Sequence, residues 1–141
     1  MHAVRWALAL LLAAFFAYFG VQKFIANPNP IFSLIAERSG IALFEPTVRM
    51  LTGAAELIAA VLLAIPATRR LGALLGLAIL LGAIGFHFSP WLGIDVPGIG
   101  TSLFAMAVGG LVLTVAVLTL ESRAGRPDPY RDRTVGESRS R

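Results

Sequence analysis

The sequence contains no cysteine and only two histidines among its 141 residues. Without cysteine the chain itself forms no disulfide, thiol redox centre, cysteine-ligated iron–sulfur cluster or covalent haem attachment. His2 and His87 are too few for a histidine-built metal site within one chain. We therefore predict no metal site and no intrinsic cofactor.

Charge is also scarce. Charged residues make up 14% of the chain, against about 25% in an ordinary soluble domain. Apolar residues make up 57%, and the mean hydropathy is +0.78. These values exclude a disordered chain, make a soluble domain improbable and indicate a membrane protein. The length corresponds to one domain at most.

Four apolar stretches are each long enough to cross a hydrocarbon core of about 30 Å. Because backbone polar groups in lipid must be satisfied within the chain, each stretch is predicted to be a helix. The first is longer than the apolar core of a signal peptide and lacks a clean cleavage site, so we interpret it as a span. The sequence thus predicts an all-α integral membrane four-helix bundle over residues 1–120, with spans at 4–25, 47–65, 69–88 and 101–120.

The segments between the spans differ in character. The turn at 66–70 is short, so the second and third spans form an antiparallel hairpin. The segment 27–46 is too polar to span and too apolar to lie free in water, which predicts an interfacial helix in the first outer loop. The polar tail at 121–141 is predicted to be disordered.

Basic residues are distributed unevenly between the two sides of the predicted bundle. Nine of the 12 lie in the amino terminus, the 66–70 turn and the tail. The positive-inside rule therefore predicts a multi-pass protein of a bacterial inner membrane with both termini in the cytoplasm. Orientation also explains the net charge of +4, so no nucleic-acid partner is expected.

Small residues recur along one face of each span. Such residues let helices approach closely in lipid, although glycine and alanine are also generally common in membrane spans. The residues predicted to pack helices together are Gly20, Gly53, Gly72, Gly76 and Gly109.

Glu56 is the most informative single residue, because it lies nine positions past Thr47, near the bilayer centre. A charge there costs about 2.5–3.5 kcal/mol, so Glu56 should be neutral or paired with Lys23 or Arg49. Several polar residues fall in the same outer half, and they predict a polar pocket formed by Lys23, Arg49, Thr52, Glu56, His87 and Ser102. The alternative is that the basic side chains reach the headgroups independently and Glu56 only joins helices.

Gly20–Phe24, Thr52–Leu63, the turn Pro66–Arg70 and Phe86–Phe88 together resemble the DoxX family over residues 4–120. That family comprises small four-helix membrane proteins. Some of its members belong to thiosulfate:quinone oxidoreductases and others to complexes that handle thiol or oxidative stress. The resemblance assigns the family pattern to Gly20, Lys23, Gly53 and Glu56.

Two functional hypotheses follow. In the first, the chain is a membrane subunit of a quinone-linked or sulfur/thiol-related oxidoreductase system. The outer pocket then binds a quinone head, Glu56 relays protons, and the partner is a membrane or peripheral oxidoreductase subunit. In the second, the chain is a non-enzymatic membrane scaffold or small-solute carrier. A second copy of the chain is a further candidate partner, and whether the chain is catalytic stays open.

Overall fold

The computed structural model describes residues 2–124, which form five α-helices and one short 3₁₀ turn. Four helices are long and apolar enough to cross a membrane, and the remaining helix is short and lies between the first two spans. In chain order the helices are α1 (His2–Ile25), α2 (Pro30–Ser39), α3 (Thr47–Ala64), α4 (Arg69–His87) and α5 (Ser102–Ala124), and the 3₁₀ turn covers Ala42–Phe44.

The four long helices pack in a ring. α1 packs against α3, α3 against α4, α4 against α5, and α5 against α1. The predicted all-α four-helix membrane bundle is therefore confirmed. Within residues 2–124 the backbone forms no strand, only an isolated bridge between Val96 and Gly100. We call the end with the α3–α4 turn the hairpin end, and the end with α2 and the 88–101 loop the loop end.

α1 and α3 cross in close contact where two glycines face each other. A Cβ atom on Gly20 would lie 2.9 Å from the Leu57 side chain, and one on Gly53 would lie 3.0 Å from the Cβ of Lys23. Neither position has room for a side chain without movement of a neighbour. Both glycines therefore pack helices together, in agreement with the sequence.

α4 uses two glycines in the same way. A Cβ atom on Gly72 would lie 2.7 Å from the backbone nitrogen of Leu63, so α4 contacts the backbone of α3 near their turn. A Cβ atom on Gly76 would lie 2.5 Å from the ring of Phe16, which fills the centre of the bundle. The close packing predicted for these two positions is present.

The packing role predicted for Gly109 is wrong. No atom of a neighbouring element lies within 4 Å of a Cβ atom built there, and the residue is exposed. Gly110 contacts the other helices instead, because a Cβ atom on it would lie 2.8 Å from the Phe15 ring and 3.1 Å from Leu80. A helix turns by about 100° per residue, so the adjacent glycine faces a different side.

α2 has clear sequence signals at both ends. The Asn29 side chain accepts hydrogen bonds from the backbone N–H groups of Ile31 (3.1 Å) and Phe32 (3.4 Å). Pro30 occupies the first turn, where its missing N–H has no cost. Gly40, with φ of 71°, ends the helix in the left-handed conformation that glycine favours.

α2 and the 88–101 loop pack together over the loop end. The buried residues Ile35, Leu92 and Val96 form a small apolar cluster between them. Arg38 also donates hydrogen bonds to the backbone oxygens of Trp91 (3.4 Å) and Leu92 (3.5 Å). The loop-end segments are therefore joined into one cover.

α5 continues through Glu121 to Ala124, so the last helix ends later than the predicted boundary at 120. The rest of the predicted disordered tail, residues 125–141, lies outside the described residues.

The orientation of the bundle stays a prediction, and it has a direct test. Alkaline phosphatase, which is active only outside the cytoplasm, is fused after Arg141 or inserted at the exposed Gly40. Because nine of the 12 basic residues lie in the amino terminus, the 66–70 turn and the tail of the sequence, we expect activity from the Gly40 insertion only. Activity from the Arg141 fusion alone would reverse the orientation.

Candidate functional site

The loop-end half of the bundle encloses a cavity of about 440 Å³. α1, α3, α4 and α5 supply its walls, and Ile31, Phe32 and Ile35 of α2 cover it. The lining is mostly apolar and includes five phenylalanine rings. A cavity of this size and character is typical of sites for small, largely apolar molecules.

Lys23 and Glu56 form an ion pair in the wall of this cavity. The Lys23 Nζ atom lies 2.8 Å and 2.7 Å from the two carboxylate oxygens of Glu56, and the side chains are only 14% and 8% exposed. The pair joins α1 to α3 directly beside the Gly20–Gly53 crossing. The sequence named Lys23 as one of two candidate partners for Glu56, and the structure selects it.

The Lys23 ammonium group retains hydrogen-bonding capacity toward the cavity. It has three donors, and the Glu56 oxygens accept from two of them. The remaining contact, to the backbone oxygen of Phe19, is 3.5 Å long, at the limit for a hydrogen bond. A ligand oxygen at this wall would therefore displace only the weak contact to Phe19.

His87 contributes a second polar group, from α4. Its Nδ1 atom lies 2.7 Å from the backbone oxygen of Gly93. Because a carbonyl oxygen only accepts, Nδ1 donates in this contact, and in that tautomer Nε2 is the acceptor. Over the described residues Nε2 has no hydrogen-bond partner, so it is available to a hydroxyl group in the cavity.

Thr52 also lines the cavity, with its hydroxyl donated to the backbone oxygen of Val48 at 2.8 Å. Four of the six residues predicted for the polar pocket therefore meet at one cavity: Lys23, Thr52, Glu56 and His87. Their role in binding stays a prediction.

Arg49 was predicted to belong to the polar pocket, but it does not line the cavity. It is buried, but its Nε atom donates to Glu45 at 2.8 Å and 2.9 Å, and its Nη atoms donate to the backbone oxygen of Lys23 and to the side chain of Asn27 (3.3 Å). Arg49 thus ties the end of α1 to the start of α3 behind the cavity. Glu45 lies one turn before Arg49, a spacing at which an acidic and a basic side chain pair on a helix.

Ser102 is not part of the pocket either. It is the first residue of α5, is exposed, and does not line the cavity. The α5 residues in the wall are Leu103, Met106 and Ala107. The pocket prediction grouped residues by their level along the spans. That level does not determine the face of α5 on which Ser102 lies.

A second polar cluster lies at the hairpin end, and the sequence analysis missed it. The guanidinium groups of Arg5 and Arg69 contact the Glu121 carboxylate at 2.6 Å and 3.4 Å. The Arg69 guanidinium carbon also lies 4.3 Å from the centre of the Trp6 ring. We call these four residues the hairpin-end cluster; it joins α1, α4 and α5.

Within residues 2–124, no three His, Asp or Glu side chains come together as a metal-binding set. The polar and aromatic groups that line the cavity are the ion pair, the imidazole, the Thr52 hydroxyl and the phenylalanine rings.

Comparison with known proteins corrects the family assignment. The chain matches the family model of methylamine utilisation protein MauE over residues 1–95. Neither the curated proteins nor the solved structures gave a match. The predicted membership of the DoxX family is therefore wrong. The glycine, lysine and glutamate pattern that suggested it occurs here in a different family of membrane proteins.

Proposed function

The chain belongs to the MauE family of methylamine utilisation proteins, and we propose that it is a membrane component of a redox system for amine utilisation. In this proposal its cavity binds a lipid-soluble quinone. The observation that carries the proposal is the Lys23–Glu56 ion pair set in the wall of an apolar, aromatic cavity within four membrane spans.

The polar groups at the cavity match the chemistry of a quinone head. Each quinone carbonyl oxygen accepts hydrogen bonds, and Lys23 is a charged donor whose third contact, to the Phe19 oxygen, is weak enough to be exchanged. The reduced form carries hydroxyl groups that donate, for which the Nε2 atom of His87 is a suitable acceptor. Phe16, Phe19 and Phe86 provide apolar and aromatic surface for the ring.

The same geometry disfavours a carrier for methylamine itself. At neutral pH the amine is a small cation, which requires an unpaired carboxylate or carbonyl oxygens. Both oxygens of Glu56 are already bound by Lys23, whose own positive charge would repel a second cation. A mostly apolar cavity of about 440 Å³ is also poorly matched to so small a polar molecule.

A scaffold function accounts for the helix packing but not for the cavity. Buried ion pairs contribute little net stability, and a well-packed apolar core would join the helices equally well. A cavity also lowers stability, since its lining atoms lose packing contacts. Quinone binding would account for both the buried ion pair and the cavity. Because the chain lacks cysteine, any thiol chemistry in the system belongs to a partner.

The proposal predicts that quinone co-purifies with the protein. After extraction in mild detergent, bound lipids are quantified by mass spectrometry for wild type and for the double variant Lys23→Met with Glu56→Leu. Loss of a hydrogen bond to a charged group, about 1.5–3 kcal/mol, should lower quinone occupancy at least tenfold. The double variant is used because it leaves no unpaired charge.

Glu37→Gln is the matched control, because Glu37 lies on the exposed side of α2 and does not line the cavity. It should retain quinone as wild type does. Absence of quinone from the wild-type protein, or equal amounts in wild type and double variant, would reject quinone binding at this site.

A further inference from the structure

The cavity reaches the lipid-facing surface between α3 and α4. Leu51 on α3, and Ala78 and Gly82 on α4, line the cavity and are also exposed on the outside of the bundle. Leu51 is 67% exposed. The cavity therefore has a mouth at this seam, and in a membrane the mouth faces lipid.

The surroundings of the α4 glycines differ between the hairpin end and the mouth. At the hairpin end the helices touch, since a Cβ atom on Gly72 would lie 2.7 Å from the backbone nitrogen of Leu63. Nearer the loop end, a Cβ atom on Gly82 would meet nothing within 4 Å. The short turn thus holds α3 and α4 together at the hairpin end, whereas Gly82 lies on a face of α4 that no neighbouring atom covers.

We infer that the ligand enters sideways from the lipid through this mouth and that its apolar tail stays there while its polar head reaches Lys23. This inference rests on the proposed function and narrows the ligand to quinones with an isoprenoid tail. When the quinone head lies in the cavity, the isoprenoid tail lies in the mouth and stays in contact with lipid throughout binding. Gly82 is then the residue that keeps the passage open for the tail.

A direct test compares Gly82→Leu with Gly85→Leu. Both glycines are exposed on α4 and have nothing within 4 Å of an added Cβ atom, but only Gly82 lines the cavity. Leucine also favours a helix more than glycine does, so both variants should fold. Equal melting temperatures of the two variants would verify this.

Binding is measured in phosphatidylcholine vesicles by quenching of Trp91 fluorescence. The rings of Trp91 and Phe86, which lines the cavity, lie 6.3 Å apart. Trp6 is the other tryptophan, so it is replaced by phenylalanine in every protein compared and only Trp91 fluoresces. Phenylalanine keeps an aromatic ring against the Arg69 guanidinium group. The probes are ubiquinone with its full isoprenoid tail and the same headgroup without a tail.

We expect Gly82→Leu to slow association of the tailed ubiquinone at least tenfold, which corresponds to about 1.4 kcal/mol in the barrier for entry. Binding of the tailless headgroup should change much less, and Gly85→Leu should resemble wild type with both probes. If Gly82→Leu binds the tailed probe at the wild-type rate, lateral entry at this seam is wrong even though the proposed function survives. If wild type binds neither probe, the proposed function itself fails.

Discussion

Replacement of Lys23 by methionine should lower the free energy of unfolding by about 3 kcal/mol, the scale of a charge left at the bilayer centre. In the intact bundle Lys23 neutralises Glu56 through two short hydrogen bonds. The variant leaves the carboxylate in an apolar wall without its donor. The loss should be visible in unfolding by sodium dodecyl sulfate in mixed micelles, followed by circular dichroism.

The double variant Lys23→Met with Glu56→Leu should recover most of that loss. Removing both charges removes the desolvation cost of each, and buried ion pairs are often replaced by apolar residues with little change in stability. We expect the double variant to unfold within about 1 kcal/mol of wild type. If it is as unstable as the single variant, the pair contributes through packing rather than charge.

Glu121→Gln should be the second large effect, with a loss of about 3 kcal/mol in the free energy of unfolding, as expected when a buried ion pair loses one member. Glu121 is the carboxylate that contacts both Arg5 and Arg69 in the hairpin-end cluster. Its replacement leaves two positive charges facing each other. The Arg69 side chain is nearly fully buried, so water compensates it poorly.

Arg5→Leu provides the matched comparison for the hairpin-end cluster. It leaves Arg69 and Glu121 as a neutral pair, so its cost should be well below that of Glu121→Gln. The same unfolding titration measures both variants. Equal costs would mean that the cluster is stabilised by packing around Arg5 rather than by the balance of charge.

Composition and apolar length were sufficient to predict the four spans and the helix between the first two of them. Both depend on strong, local physical requirements. An apolar stretch in lipid must be helical. Asn29, Pro30 and Gly40 stand where the ends of α2 require them. Gly20, Gly53, Gly72 and Gly76, named from the small-residue faces of the spans, lie at close contacts between helices.

The errors arose where the direction of a side chain mattered. Arg49 pairs with Glu45 one turn away and does not line the cavity. Glu121 was assigned to the tail because the apolar run ends at Leu120, yet it pairs across the bundle with Arg5. Arg5 and Glu121 are 116 positions apart in the sequence, so no local pattern reveals that pair.

The family assignment failed for a related reason. Two helices that cross closely require small residues at the contact, and a charge pair between them requires a basic residue on one helix and an acidic residue on the other. Together these requirements place a glycine near a lysine and a glycine near a glutamate. Gly20, Lys23, Gly53 and Glu56 meet that requirement through the α1–α3 contact. A physical requirement of this kind identifies an arrangement of helices rather than a particular family.

The central claim is that a quinone head occupies the cavity beside Lys23, and photoaffinity labelling tests it most directly. A tailed azidoquinone is irradiated with the protein in vesicles, and labelled peptides are identified by mass spectrometry. The account predicts label within residues 48–56 of α3 and 78–87 of α4, suppressed by excess unmodified ubiquinone. Label spread over lipid-facing residues such as Val112 and Val115 of α5, and unaffected by the competitor, would contradict it.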